Sequence, residues 1–170
     1  RSVWVDGEKV ARLVEFIGRF PSVTLCSSDL MLLRGSPSER RRFMDLTLSV
    51  VNRDYYTTLR DFHRGIVERN RLLKNSGSAA ELSAFELEIA THAIQIASCR
   101  AAGMNTLSEV LCRTYDRIAE ADEGPQFSFR PNVDCHDTEA YCRLMYESRK
   151  RDQMIGATQR GPHRDDFNFS

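Results

Sequence analysis

The feature that most constrains this chain is an apolar stripe in its second half that advances by alternating steps of three and four residues. After the turn signal Asn75-Ser76-Gly77-Ser78, residues Leu82, Ile89, Ala93, Ile96, Met104, Leu107, Leu111, Tyr115 and Ile118 hold that spacing with few interruptions. Such a period marks one face of an α-helix, and at 1.5 Å per residue a helix from about Ala79 to Ala121 is roughly 60 Å long. A stripe of that length cannot bury itself. Only a short turn separates it from the segment before, so the expected partner is the antiparallel neighbour, giving a helical hairpin resembling a short coiled coil. Gly77 is expected to take the left-handed conformation after the first arm. Leu107 and Leu111 are expected to face the preceding helix.

The preceding arm opens with a complete start signal: Ser36 as N-cap, Pro37 at the first helical position, and Glu39 completing a Ser-x-x-Glu capping box. Phe43, Leu46 and Val50 then keep one apolar face. Asn52-Arg53-Asp54 weakens the pattern as a kink or a break, and Tyr55, Leu59, Phe62, Ile66 and Leu73 restore it. The remaining signals are shorter. Val3 to Val5 reads as the end of a strand before an Asp6-Gly7 turn; Val10, Leu13, Val14 and Ile17 recur at helical spacing; Val23 to Cys26 suits a short strand. Glu123-Gly124-Pro125 ends the long helix, Phe127 and Phe129 alternate as a strand, Asp137 caps a last helix running toward Gly156, and Phe167 and Phe169 alternate again. The expected fold class is mostly α, with strand fragments that make it α+β.

Composition narrows the class. Apolar residues at 41% and charged residues at 28% fit a soluble globular chain, and no apolar run approaches the ~18 residues that span a bilayer. Five cysteines are an odd number without a C-x-x-C pair. This argues against a disulfide framework or a zinc site and fits reduced thiols in a cytoplasmic protein. The chain begins at Arg1 without Met and stops at Ser170 in what reads as mid-strand, so an excised piece of a longer protein is expected. Net charge is zero, but unevenly composed. Arg34 to Lys74 holds ten basic residues against five acids, and Ala79 to Glu123 holds three against eight. The local map therefore allows nucleic acid, and it equally allows two helices of opposite charge to attract each other.

Several chemistries are excluded by missing residues. No G-x-x-x-x-G-K-[ST] run is present, so the backbone cradle and lysine that hold a triphosphate are lacking. His163-Arg164-Asp165 is superficially like a kinase catalytic loop, but position 170 is Ser where that loop needs Asn. A single His beside Asp165 and Asp166 in a turn is more often a hydrogen-bonded structural element than a ligand set, and no metal is expected. No catalytic residue is assigned.

The basic residues are the binding candidates. Arg60, Arg64, Arg71 and Lys74 spread along one helix, and the three arginines share a face that suits tracking a phosphate backbone; a solvated helix surface is the plainer alternative. Arg40, Arg41 and Arg42 sit in the first two turns of a helix, where positive charge opposes the macrodipole. They need an acidic partner, a phosphate or open solvent, and one of the three is expected to turn inward to Asp45 or to a neighbouring domain. Arg40 and Arg41 are thus further DNA candidates, with ion pairing slightly favoured. Arg69 and Asn70 lie close to the apolar stripe, which suggests capping or buried hydrogen bonding.

Three segments, Arg34 to Asp45, Glu68 to Lys74 and Gly161 to Phe167, resemble the RecF family of bacterial recombination mediators in order and spacing, from about Val3 to Phe169. The resemblance implies a long antiparallel hairpin whose strand fragments complete an ABC-type, SMC-like ATPase head. It implies residues 1–35 as the head's edge, 36–122 as the arm, 123–157 as a short strand and returning helix, and 158–170 as a strand re-entering the head. It further implies an intact protein that binds ATP with Mg2+, dimerises around ATP, holds single-stranded or gapped DNA, meets a RecR-type mediator and helps load recombinase. In the family the phosphate loop lies upstream and the signature downstream, so this chain alone is expected to bind no cofactor and hydrolyse nothing. His163, Arg164 and Asp165 become candidates for the head or ATP interface. The competing reading is a standalone helical-hairpin module that docks a protein and has no nucleic-acid role.

Overall fold

The structure, a computed structural model, describes residues 3–10, 22–119 and 124–169. Its elements run β1 (Trp4–Val5), β2 (Glu8–Lys9), α1 (Met31–Arg34), α2 (Pro37–Val51), α3 (Arg53–Lys74), α4 (Ala79–Tyr115), β3 (Phe127–Arg130), α5 (Thr138–Ile155) and β4 (Asp166–Phe169), with 3-10 turns at Ser27–Leu30 and Pro162–Arg164. The helical expectation on Val10 to Ile17 falls largely on residues outside those described. The class is mostly α with two small antiparallel sheets, β1–β2 and β3–β4.

Local chemistry explains where each helix starts. Glu39 accepts from the Ser36 amide at 2.8 Å ahead of α2. Ser78 and Glu81 form a reciprocal capping box on α4, at 3.2 and 2.9 Å. These side chains satisfy amides that have no partner in the first turn. Asn52 lies between α2 and α3 with φ −137°, and its side chain accepts from the Tyr55 amide at 3.1 Å, so the interruption is a break with its own cap. Asp137 accepts from the Glu139 and Ala140 amides at the start of α5, and that helix ends on left-handed Gly156 with φ 74°.

α3 and α4 form the antiparallel hairpin, with α5 laid along α4 and β3–β4 packed between α4 and α2. Phe62, Ile89, Ala90, Ala93 and Ile96 are at most 1% exposed, and Met104, Tyr141, Met145 and Phe167 join them in one core. Gly65 lets the arms approach closely: a Cβ there would stand 2.8 Å from Ile89 Cγ1. In the sheet, Phe127 pairs with Phe169 and Phe129 with Phe167, and the last two rings stack at 5.2 Å.

Four expectations are corrected. At the hairpin turn Ser76, not Gly77, takes the positive φ of 54°. The Gly77 amide then bonds the Leu72 carbonyl at 2.8 Å, and a Cβ on Gly77 would collide with Leu72, so glycine is needed for space rather than for its dihedral. α4 ends at Tyr115 instead of Ala121; further on, Ile118 is 77% exposed and uncovered among the described residues. Leu107 and Leu111 do not face α3. Tyr55, near the start of α3, stands beside Arg100, and Gly103 further along α4 already lies against Leu48 of α2, so in this antiparallel register Leu107 and Leu111 lie past the start of α3. Val23 to Cys26 forms no strand, and Val23 and Leu25 are almost fully exposed.

Candidate functional site

The segment from Gly156 to Asp165 joins α5 to β4, and two arginines of the hairpin grip it at either end. Both are fully buried.

Arg69, from α3, binds the first end. Its Nε donates to Glu86 at 3.0 Å, and its Nη1 donates to Asp152 at 2.7 Å and to the Thr158 hydroxyl at 2.8 Å. Its Nη2 reaches the Met145 carbonyl at 3.2 Å. Glu86 also receives Arg149 Nη2 at 2.6 Å, so two arginines meet two acids and the group is neutral. Asn70 accepts from both the amide and the hydroxyl of Thr158, at 2.7 and 2.8 Å. The buried hydrogen bonding expected of Arg69 and Asn70 is thus present.

Arg100, from α4, binds the other end. Its Nη1 donates to the Pro162 carbonyl and to Asp165 Oδ2, each at 2.7 Å, while its Nη2 donates to Asp45 at 2.8 Å. Its Nε donates to the Tyr55 hydroxyl at 3.1 Å, and that hydroxyl donates to Asp45. Asp165 additionally accepts the Asn132 amide at 2.7 Å. Burial works against the Arg100 charge, yet Tyr55, Asp45 and Asp165 outweigh it and hold the guanidinium above its usual range. Burial pushes the Asp165 carboxyl up, with the Asn132 amide and Arg100 acting against that rise. Asp45, one of the two destinations expected for an arginine from the start of α2, receives Arg100.

The residues singled out from sequence fall into two groups. Arg40, Arg41, His163, Arg164 and Asp165 converge where α2 meets β4. Arg40 forms a two-pronged pair with Asp166 at 2.8 and 3.1 Å, which lowers the Asp166 pKa. Arg41 donates to the Asp165 carbonyl at 2.6 Å. His163 Nε2 lies 3.0 Å from the Thr158 carbonyl, so the neutral ring carries its proton there. Burial depresses its pKa to about 4, the Thr158 bond opposing and the nearby Arg164, His63 and Arg41 adding to the fall. Arg164 is exposed, 3.3 Å from Gln159 Oε1. The second group lies along α3: Arg60 beside Asp61, Arg64 beside Glu88 of α4, Arg71 beside Glu68, with all three side chains more than half exposed. Lys74 is exposed, and its stem passes Gly156. The structure does not bring the two groups into one site.

Sequence reasoning missed Arg100 and Glu86. The available signal was their position: both interrupt the apolar stripe of α4 at places where the spacing calls for a core residue. Among the described residues no cluster of His, Cys, Asp or Glu is placed to hold a metal ion. No disulfide joins the five cysteines, and no helix among the described residues is long and apolar enough to cross a membrane.

A hairpin of two long helices carrying a small sheet at one end is also the architecture of solved RecF structures. RecF with ATP, and RecF in the form described as RecF-ATPrS, both from the RecFOR pathway, superpose with a TM-score of 0.89 at 23% identity, over 99% of this chain and 48% of theirs. No family model matches the chain. Among curated proteins, the DNA replication and repair protein RecF of Clostridium perfringens is 30% identical over 172 residues, covering 99% of this chain and 48% of that protein. The RecF of Moorella thermoacetica is 32% identical over 163 residues, covering 94% and 43%. These similarities support a RecF fragment, and the chain spans about half the length of the curated relatives it matches.

Proposed function

We propose that this chain is the arm-bearing part of a RecF-type DNA replication and repair protein. In the intact protein it would act beside an ATP-binding head and hold single-stranded or gapped DNA where a RecR-type mediator and recombinase are recruited. The observation that carries this reading is the similarity along 99% of the chain at 30% identity, joined to a shared fold over the same span. The same proposal divides the chain into residues 1–35 at the edge of an ABC-type head, 36–122 as the arm, 123–157 returning, and 158–170 re-entering the head. Cytoplasmic location, Mg2+ with the ATP, and an ATP-dependent homodimer belong to the same proposal.

DNA contact would fall to Arg60, Arg64, Arg71 and Lys74, whose exposed side chains lie along α3. Arg40 and Arg41 are weaker candidates, since Asp166 and the Asp165 carbonyl already occupy them. Reversing Arg60, Arg64 and Arg71 to Glu in the intact protein should weaken binding to every DNA sequence alike. The slope of log affinity against log salt should shrink by roughly 0.7–0.9 for each phosphate left without its arginine. Fluorescence anisotropy on a gapped duplex across a salt series measures both. An unchanged affinity and slope would return these arginines to their acidic neighbours. One observation favours a second reading, a hairpin that docks protein without touching nucleic acid: each of the three arginines has an acid within 3.4 Å.

A further inference from the structure

The segment between α5 and β4 lies along one flank of α3. Its start meets the end of that helix, where the Lys74 stem passes Gly156. Its middle meets Asn70, which accepts the Thr158 amide at 2.7 Å. Its end meets Phe62, whose ring centre is 5.9 Å from that of His163. Segment and helix therefore run antiparallel from Phe62 to Lys74, a length of about 18 Å at 1.5 Å per residue. Arg160 and Arg164 are exposed on the segment, and from Gly156 to Arg164 it contains no acid.

The opposite flank of α3 carries the carboxylates. Asp61 and Glu68 stand four before and three after Gly65, so they share the side on which Gly65 meets Ile89 of α4. Glu88 of α4 adds a third acid there, 3.4 Å from Arg64. These three acids pair with Arg60, Arg71 and Arg64. Lys74, Arg160 and Arg164 have no ion pair among the described residues, and Arg164 meets only the neutral Gln159 amide. An anion approaching α3 thus meets carboxylates on one flank and uncompensated positive charge on the other.

We propose that Arg160 and Arg164 form a second rail of phosphate contacts beside α3, so that a nucleic-acid backbone lies over the line where the segment meets the helix, with Lys74 at its end. The proposal rests on the DNA-holding reading above and changes which residues carry it. The unpaired cations of the segment hold the phosphates, and the arginines of α3 contribute less because each already shares a carboxylate. Arg69 and Arg100 fix the segment from beneath, through the Thr158 hydroxyl and the Pro162 carbonyl. The rail is therefore preformed, and binding does not have to order it.

Charge-neutral substitutions in the full-length RecF-type polypeptide test this, read by fluorescence anisotropy on a gapped duplex across a salt series. Arg160→Gln combined with Arg164→Gln should weaken binding about tenfold near 0.15 M salt and reduce the salt slope by roughly 1.4–1.8. Arg60→Gln combined with Arg71→Gln should change both by less. Arg160→Lys combined with Arg164→Lys keeps both charges and should keep the slope. Wild-type affinity and slope in the Arg160→Gln, Arg164→Gln variant overturn the proposal. So does a loss in the lysine variant as large as that in the glutamine one, since a phosphate rail reads charge. The melting shift produced by ATP is the second readout. It should be the same in the glutamine variant as in wild type, and its disappearance would overturn the proposal in favour of a nucleotide role for Arg164. If the wild type itself binds no DNA, the functional reading fails and the proposal with it, a pattern that none of the variants produces.

Discussion

Arg100 brings a charge into a site at 1% exposure and meets two carboxylates there, Asp45 and Asp165. Swapping such a group for an apolar side chain removes one partner and strands the others. Arg100→Met should therefore cost about 3–5 kcal/mol, the usual penalty for breaking a buried pair from one side. Urea unfolding of the 170-residue chain reads this, with Arg60→Ala as the exposed comparison that leaves the midpoint in place. Similar midpoints for the two variants would mean that Asp45 and Asp165 are not relying on Arg100. His163 gives a prediction in pH. Its folded pKa of about 4 lies below its ordinary 6.5, because burial disfavours the charged ring. The unfolded chain thus takes up the proton first as pH falls. The stabilising contribution is complete above pH 6.5 and is lost progressively toward pH 4, by up to about 3 kcal/mol. Thermal melts of the wild type and His163→Gln at pH 7 and pH 4.5 isolate it, since the other titrating groups are common to both. The advantage of wild type should narrow at the lower pH; a constant difference would place the ring in a wetter site.

At the scale of elements, the hairpin is a matter of register. Arg69 opposite Glu86, Gly65 against Ile89, Thr58 near Gln95 and Tyr55 beside Arg100 set one continuous antiparallel alignment of α3 on α4. Ile96 lies inside it and is fully buried, so Ile96→Ala should cost about 2–5 kcal/mol. Leu111→Ala, on the half-buried stretch past the reach of α3, should cost visibly less in the same urea titration. A larger loss at Leu111 would shift the weight of the fold to the α2 end. The starts of α2 and α5 were legible in the sequence because the Ser36–Glu39 pair and Asp137 act within three residues of themselves, whereas Asn52 read only as a kink or break, Ser78 only as part of a turn, and the short α1 was not expected. The hairpin was legible for a similar reason, a short turn and an unbroken period. What stayed hidden depends on distant partners. Arg100 contacts Pro162 and Asp165 across more than sixty positions, and no local pattern announces such a pair. The same is true of Arg40 with Asp166, 126 positions apart. The end of α4 was misplaced because the stripe continues past the last described element that covers it.

For the whole molecule, equal numbers of positive and negative residues conceal a division of labour. The buried arginines are spent on internal carboxylates, and the exposed ones on α3 stand beside acids close to the surface. Exposed pairs of this kind contribute little and are screened by salt, so they leave α3 available to a polyanion while the buried hubs hold the shape. Nucleotide is a different matter. A triphosphate site needs backbone amides and a lysine converging on one loop, and the sequence has no such run in 170 residues. Under the proposed function the ATP site is therefore completed elsewhere in the longer polypeptide. The 170-residue chain should melt at one temperature with or without millimolar ATP and Mg2+, whereas the long polypeptide should be stabilised. At a ligand concentration a hundredfold above Kd the stabilisation is about 2.7 kcal/mol, enough to read as a shift of the melting curve. Differential scanning fluorimetry on both forms, with a nucleotide-free control, makes the comparison. A shift in the short chain would place a nucleotide site within these residues, and no shift in the long one would remove ATP from the proposal.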